Sequence, residues 1–223
     1  MNAHELARCI EHTLLRCTAT EQEIRSLCMQ ARENQFKGAV VNPVWVKVAS
    51  QLLAGSPTGV VTVVGFPLGA NRTDIKVVEA VEAAEDGATE IDMVANLGWL
   101  CENRFQEAEA EIRKVRRNLS AEIPLKVIIE SSVLSVEQQR GAVQAVINAG
   151  AQFVKTCTGY AGSVCVDHVR TLVEVAHGQI GVKASGGIRT YSQSLDLLNA
   201  GAIRLGTSSS TAILAEARAI SST

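Results

Sequence analysis

No apolar run in this 223-residue chain approaches the ~18 residues that a membrane helix needs, so no membrane partner is expected. The opening stretch MNAHELARCIEHTLL lacks a basic segment followed by an apolar one and does not read as a signal peptide. The formal net charge is −2, which gives neither the basic footprint of a nucleic-acid binder nor an acidic tail. Six cysteines (Cys9, Cys17, Cys28, Cys101, Cys157 and Cys165) form no C-x-x-C pair. Without a secretion signal they read as free thiols, which places the chain in a reducing cytoplasm. The histidines His4, His12, His168 and His177 make no H-x-x-x-H or mixed Cys/His cluster, so no metal site is expected from them. Low-complexity segments and linkers are also missing, and the whole of 1–223 reads as one domain.

What is present is a repeated phrase. "KGAV" at Lys37, "DGAT" at Asp86, "AGAQ" at Ala149 and "AGAI" at Ala200 each follow an amphipathic stretch and precede a β-rich run. Glycine suits the residue after a helix because it takes the left-handed conformation freely, and alanine lets helix and strand approach. Four such joints amount to an internal repeat. Thr20 with Glu23, Ser135 with Gln138 and Thr190 with Gln193 have capping-box spacing and mark helix starts. From Phe105 to Leu119 the apolar residues fall at helical spacing.

Eight strand candidates result: Cys9–Leu14, Ala39–Asn42, Val60–Gly65, Thr89–Val94, Leu125–Glu130, Gln152–Thr156, Val182–Ser185 and Ile203–Gly206. Each is followed by a helical stretch. Strict alternation predicts a parallel sheet, and eight units in one domain predict an α/β fold of the (β/α)8 TIM-barrel type. An open doubly wound sheet is the alternative; the absence of G-x-G-x-x-G after the first strand speaks against it.

In such barrels chemistry sits at the C-terminal ends of strands. Lys155 and Lys183 occupy equivalent places on the sixth and seventh strands, and Asp92 lies toward the end of the fourth. Strand parity puts Lys155 with Phe153, Glu90 with Asp92, Glu11 with Thr13, and Lys126 with Ile128 and Glu130 on the inward face. That interior is rich in charge where Val, Ile and Leu are usual. Structural ion pairs are the simpler explanation, and they suit Lys126 and Glu130 best. The chemical explanation is a deprotonated lysine. A neighbouring cation and burial lower its pKa, its amine forms a Schiff base with a carbonyl, and a carboxylate moves protons. No cofactor or metal is required. Glycine- and serine-rich turns follow three consecutive strands: Thr158 with Gly159, "SGGIR" from Ser185, and "GTSSS" from Gly206. Loops at these places commonly hold a phosphate on backbone N–H groups.

The stretches "HTLL", "VVGFPLGA", "EIDMVANLG", "KVIIE", "FVKTCTG", "VKASGGIRTY" and "GAIRLGTSS" span most of the chain. In them the sequence resembles the deoxyribose-phosphate aldolases of the short bacterial and archaeal type. The resemblance implies reversible cleavage of 2-deoxy-D-ribose 5-phosphate to acetaldehyde and D-glyceraldehyde 3-phosphate. It implies Lys155 as the Schiff-base residue, Lys183 as the lysine that tunes it, and Asp92 as proton donor and acceptor. It places the phosphate on Gly159, Gly186, Gly187, Arg189, Gly206, Ser208 and Ser209, with Thr158 beside them. Glu11, Thr13, Lys126 and Glu130 are accessory candidates, and a homo-oligomer is implied.

The chain departs from the family pattern in several places. "EHTLLRC" stands where "DHTLLKP" is usual, so Glu11 replaces an aspartate; "KTCTG" brings Cys157 beside the catalytic strand end. The turn after Tyr160 is short, and the chain ends "AISST", without the terminal tyrosine of some members. Two other functions remain open on the residues alone: a Schiff-base aldolase or transaldolase acting on a ketose phosphate, and a non-catalytic sugar-phosphate-binding barrel.

Overall fold

A computed structural model describes residues 1–221. Among them eight parallel strands close into a barrel, each paired with its sequence neighbours and the last with the first. They are β1 (Ile10–Leu14), β2 (Gly38–Val41), β3 (Gly59–Val64), β4 (Glu90–Val94), β5 (Leu125–Ile128), β6 (Phe153–Lys155), β7 (Gly181–Ser185) and β8 (Arg204–Thr207). Helices α1 (Ala3–Ala7), α2 (Glu21–Glu33), α3 (Val46–Leu53), α4 (Thr73–Glu85), α5 (Leu97–Cys101) and α6 (Phe105–Arg117) accompany the first half. Helices α7 (Val136–Asn148), α8 (Val166–Ala176), α9 (Tyr191–Asn199) and α10 (Ser210–Ser221) accompany the second. No helix among the described residues is long and apolar enough to cross a membrane.

The three capping boxes form as the spacing predicts, at the starts of α2, α7 and α9. Three of the four glycine joints also behave as expected: Gly87, Gly150 and Gly201 have φ of 103°, 81° and 105°. The fourth does not. Gln35 takes the left-handed turn after α2 with φ 54°, and Gly38 is already the first residue of β2.

Strand alternation divides the chain's apolar residues into two sets. Outward residues such as Val41, Val60, Ile91, Met93, Val127, Val154, Ala184 and Leu205 join helix residues in one large core. A separate small cluster holds Val40, Val61 and Val63, with Leu15 and Phe66 packed against it. These valines belong to β2 and β3 and fill that side of the barrel interior; β1, β4, β5, β6 and β7 each bring buried charge inward. One expectation needs correction at the fifth strand. It ends at Ile128, not Glu130, because Glu130 takes a left-handed backbone (φ 51°, ψ 59°) and opens a short 3-10 turn at Ser131–Val133. The period-2 argument therefore does not reach Glu130.

A candidate active site

Six buried charged side chains meet inside the barrel: Glu11 from β1, Glu90 and Asp92 from β4, Lys126 from β5, Lys155 from β6 and Lys183 from β7. Register explains the meeting. Lys155 pairs directly with Lys183, and Asp92 with Lys126, so inward residues on adjacent strands share a level. Asp92 receives all three lysines. Its Oδ2 accepts from Lys155 Nζ at 2.8 Å and from Lys183 Nζ at 2.5 Å; its Oδ1 accepts from Lys126 Nζ at 2.9 Å. Lys126 also pairs with Glu90 at 2.6 Å, and Lys183 with Glu11.

The electrostatics separate the lysines. Burial pushes the Lys155 ammonium down, Asp92 opposes this, and the charge on Lys183 adds to the lowering; the result is about 8. Burial acts on Lys126 in the same sense, but Asp92, Glu11 and Glu90 outweigh it and hold Lys126 above its ordinary value. Burial would raise Asp92, yet Lys126, Lys155 and Lys183 hold it well below the usual carboxylate range. Asp92 is thus ionised, Lys126 is charged, and Lys155 is the one that gives up its proton near neutral pH. Stability alone does not account for such an interior. Each buried ion costs several kcal/mol in desolvation, and well-packed apolar residues in place of a buried ion pair are often neutral or stabilising by roughly 1–4 kcal/mol.

A cavity of ≈ 570 Å³ opens at the C-terminal ends of the strands. Of the six buried charges only Lys155 lines it, and Lys155 itself is 4% exposed. Asp92, Lys183, Lys126, Glu11 and Glu90 are not among the lining residues. Thr13, Thr158, Gly159, Gly186, Gly187, Arg189, Gly206 and Ser208 complete the part of the wall that the sequence predicts. Gly186 and Gly187 have φ of 105° and 76°, and a Cβ on Gly187 would lie 2.5 Å from Ser163 Oγ, so this turn needs both glycines. Helix α10 begins two residues after Ser208, and its positive end favours an anion at that wall.

Two sequence candidates sit elsewhere. Ser209 does not line the cavity, and its N–H is spent on Thr207 Oγ1 at 2.9 Å. Glu130 is fully buried beside the wall; its carboxylate accepts from Thr158 N at 2.9 Å and from Ser132 Oγ at 3.0 Å. It holds the Thr158 turn in place and does not join the lysine network. The expectation about a terminal tyrosine falls on residues 222–223, which lie outside the described residues. Among the described residues no group of three His, Cys, Asp or Glu side chains is placed to hold a metal ion.

Sequence reasoning missed several wall residues. Tyr160 reaches back from the β6–α8 loop, stacks edge-on against Phe66 at 5.5 Å and donates to Leu15 O at 3.3 Å. Ser163 is carried to the cavity by the bond from Val164 N to Gly186 O at 3.0 Å. Ser185 and Thr207, which lie within the predicted "SGGIR" and "GTSSS" turns, also line the cavity.

Comparisons with known proteins give the family of the chain. The sequence pattern of the DeoC/LacD family aldolases matches residues 10–214. A deoxyribose-phosphate aldolase of Deinococcus radiodurans is 47% identical over 204 residues, covering 91% of this chain and 92% of the relative. One from Thermosynechococcus vestitus is 44% identical over 206 residues, covering 92% and 94%. Among solved structures, the deoxyribose phosphate aldolase of Aeropyrum pernix, described as tetrameric, superimposes with a TM-score of 0.88 at 33% identity. That superposition covers 98% of this chain and 93% of the other. With a family pattern running from the first strand into the last helix, and relatives matched nearly end to end, the chain belongs to the DeoC/LacD family of aldolases.

Proposed function

We propose that the chain is a class I aldolase. It reversibly cleaves 2-deoxy-D-ribose 5-phosphate to acetaldehyde and D-glyceraldehyde 3-phosphate through a Schiff base on Lys155. One observation carries the reading: of the buried charged network, only the lysine with a pKa near 8 reaches the cavity.

The steps follow from the arrangement. The Lys155 amine attacks the C1 aldehyde of the open-chain sugar, and loss of water leaves a protonated imine. A base takes the proton from the C3 hydroxyl. The C2–C3 bond breaks, its electrons move onto C2 as an enamine, and C3 leaves as the aldehyde of glyceraldehyde 3-phosphate. Protonation at C2 and hydrolysis release acetaldehyde and restore the amine. Asp92 touches Lys155 and Lys183 but not the cavity, so it serves these steps through the two lysines. The Gly186–Gly187 turn, Arg189 and the Gly206–Ser208 end of β8 hold the phosphate, with Ser209 shaping that turn and not binding directly.

The curated relatives named above carry the deoxyribose-phosphate aldolase name, which supports this substrate over a ketose phosphate. The tetrameric description of the Aeropyrum pernix relative supports self-association. The six cysteines, all free, suit a reducing cytoplasm. Incubation with 2-deoxyribose 5-phosphate is expected to yield glyceraldehyde 3-phosphate and acetaldehyde in equal amounts, undiminished by EDTA. Product from a ketose phosphate without acetaldehyde would point to the other Schiff-base aldolases, and no product from either to a binding protein.

Lys183 gives a second test. Below a pKa of about 8 Lys155 becomes an ammonium and the nucleophile is lost, so kcat/KM falls on the acid side. Removing the Lys183 charge in Lys183→Met removes one of the causes that lowers Lys155, so the acid limb moves to higher pH. Burial remains, and Lys155 does not return fully to an ordinary lysine. An acid limb in the same place in a folded, active Lys183→Met enzyme contradicts the role.

A further inference from the structure

Resting on the Schiff-base reading, a count of charges inside the barrel leads one residue further. The interior carboxylates are Glu11, Glu90 and Asp92. Lys126 and Lys183 neutralise two of them. The third would require Lys155 to stay protonated, which a nucleophile cannot do. Another cation is present. Arg204, the first residue of β8, faces inward in register with Lys183, and its side chain is 20% exposed. Its Nε lies 3.7 Å from Glu11 Oε1. Both atoms are buried and neither makes a hydrogen bond; Lys126 Nζ lies at the same 3.7 Å from Glu11 Oε1, but it is already shared with Asp92 and Glu90. The guanidinium also lies over the Phe153 ring at 5.6 Å, which fixes it at the end of the barrel remote from the cavity.

We propose that Arg204 is a positioning residue that acts on Lys155 from the opposite end of the barrel. Its guanidinium supplies the third countercharge and so lets Lys155 give up its proton more readily. The path is short: Arg204 faces Glu11, Glu11 binds Lys183, and Lys183 shares Asp92 Oδ2 with Lys155. Every strand that faces Lys155 is accounted for. Among the described residues β2 and β3 bring no buried charge inward; they present Val40, Val61 and Val63 there. Beyond β5, Glu130 is turned to Thr158. At the mouth Arg16 is exposed and paired with Glu23, and Arg189 is exposed on the wall. Glu11, Asp92 and Lys183, which carry the effect from Arg204 to Lys155, are fully buried, so salt screens it only weakly. Gly206 belongs to the same device. A Cβ there would lie 3.1 Å from Lys183 Cε, so glycine leaves the space in which Lys183 reaches both carboxylates.

The experiment is the pH dependence of borohydride trapping with acetaldehyde, with the adduct mapped to Lys155, alongside the pH profile of kcat/KM. In Arg204→Met the acid limb of both is expected to move up by roughly 0.5–1 pH unit. Arg204→Lys, which keeps the charge, is expected to restore most of the parent profile. Glu11→Gln removes a carboxylate instead and is expected to move the limb down. The double variant Arg204→Met/Glu11→Gln restores the balance, and its limb is expected to return toward the parent's. Merely structural damage would add and would not cancel. Arg204→Gln, uncharged but polar, replaces the methionine variant if that one fails to fold. An unmoved limb with a normal parent adduct overturns this inference alone. Absence of any Lys155 adduct in the parent overturns it together with the Schiff-base reading.

Discussion

Lys155→Leu is expected to lower kcat/KM by about five orders of magnitude, because the covalent route has no substitute and losing a nucleophile removes the whole concerted machinery. The size of the loss follows from the site. Lys126 and Lys183 are fully buried beneath the cavity and bound to carboxylates, so neither can replace the missing amine. Folding should survive. Leucine keeps an inward side chain of similar bulk on β6, and Asp92 keeps its bonds to Lys126 and Lys183. Circular dichroism and kcat/KM of the purified variant check both statements. Activity within a hundredfold of the parent would mean that catalysis does not pass through Lys155.

Ser208→Asp is expected to abolish most of the preference for the phosphorylated sugar. Ser208 lines the cavity just ahead of α10, so a carboxylate there repels the dianion that the helix end and the glycine turns attract. Binding energy from a remote phosphate positions the aldehyde against the lysine and raises turnover as well as affinity. The parent should therefore use unphosphorylated 2-deoxyribose about two orders of magnitude less well in kcat/KM, for a loss of ~3 kcal/mol. In Ser208→Asp that ratio should approach unity while acetaldehyde still forms its trapped adduct. A ratio unchanged from the parent's would move the phosphate to another part of the wall.

Much of this was legible because local rules act locally. Capping boxes at Thr20, Ser135 and Thr190 and left-handed glycines at Gly87, Gly150 and Gly201 need only neighbours in sequence, and all form. Lys155 and Lys183 were readable as a pair because consecutive strands in a barrel are adjacent. Contacts across the lumen were harder. That Asp92 collects three lysines from β5, β6 and β7 depends on the stagger of the closed sheet, which no short motif records. Arg204 was hidden for the same reason: within "GAIRLG" it reads as an ordinary strand start, and only closure of β8 onto β1 brings it to Glu11. Glu130 was misplaced because a left-handed residue breaks strand parity without a glycine to announce it. Tyr160 went unseen because its loop folds back over the mouth toward Phe66, a course that strand ends do not predict.

The central claim is that one buried lysine, Lys155, carries the carbon chain covalently. The most direct measurement is reduction of the enzyme with borohydride during turnover of 2-deoxyribose 5-phosphate, followed by peptide mass mapping. A single reduced adduct on Lys155, absent from Lys155→Leu and formed with Lys126 and Lys183 unmodified, is the expected result. An adduct on another lysine, or full activity with no trapped adduct, would contradict the account.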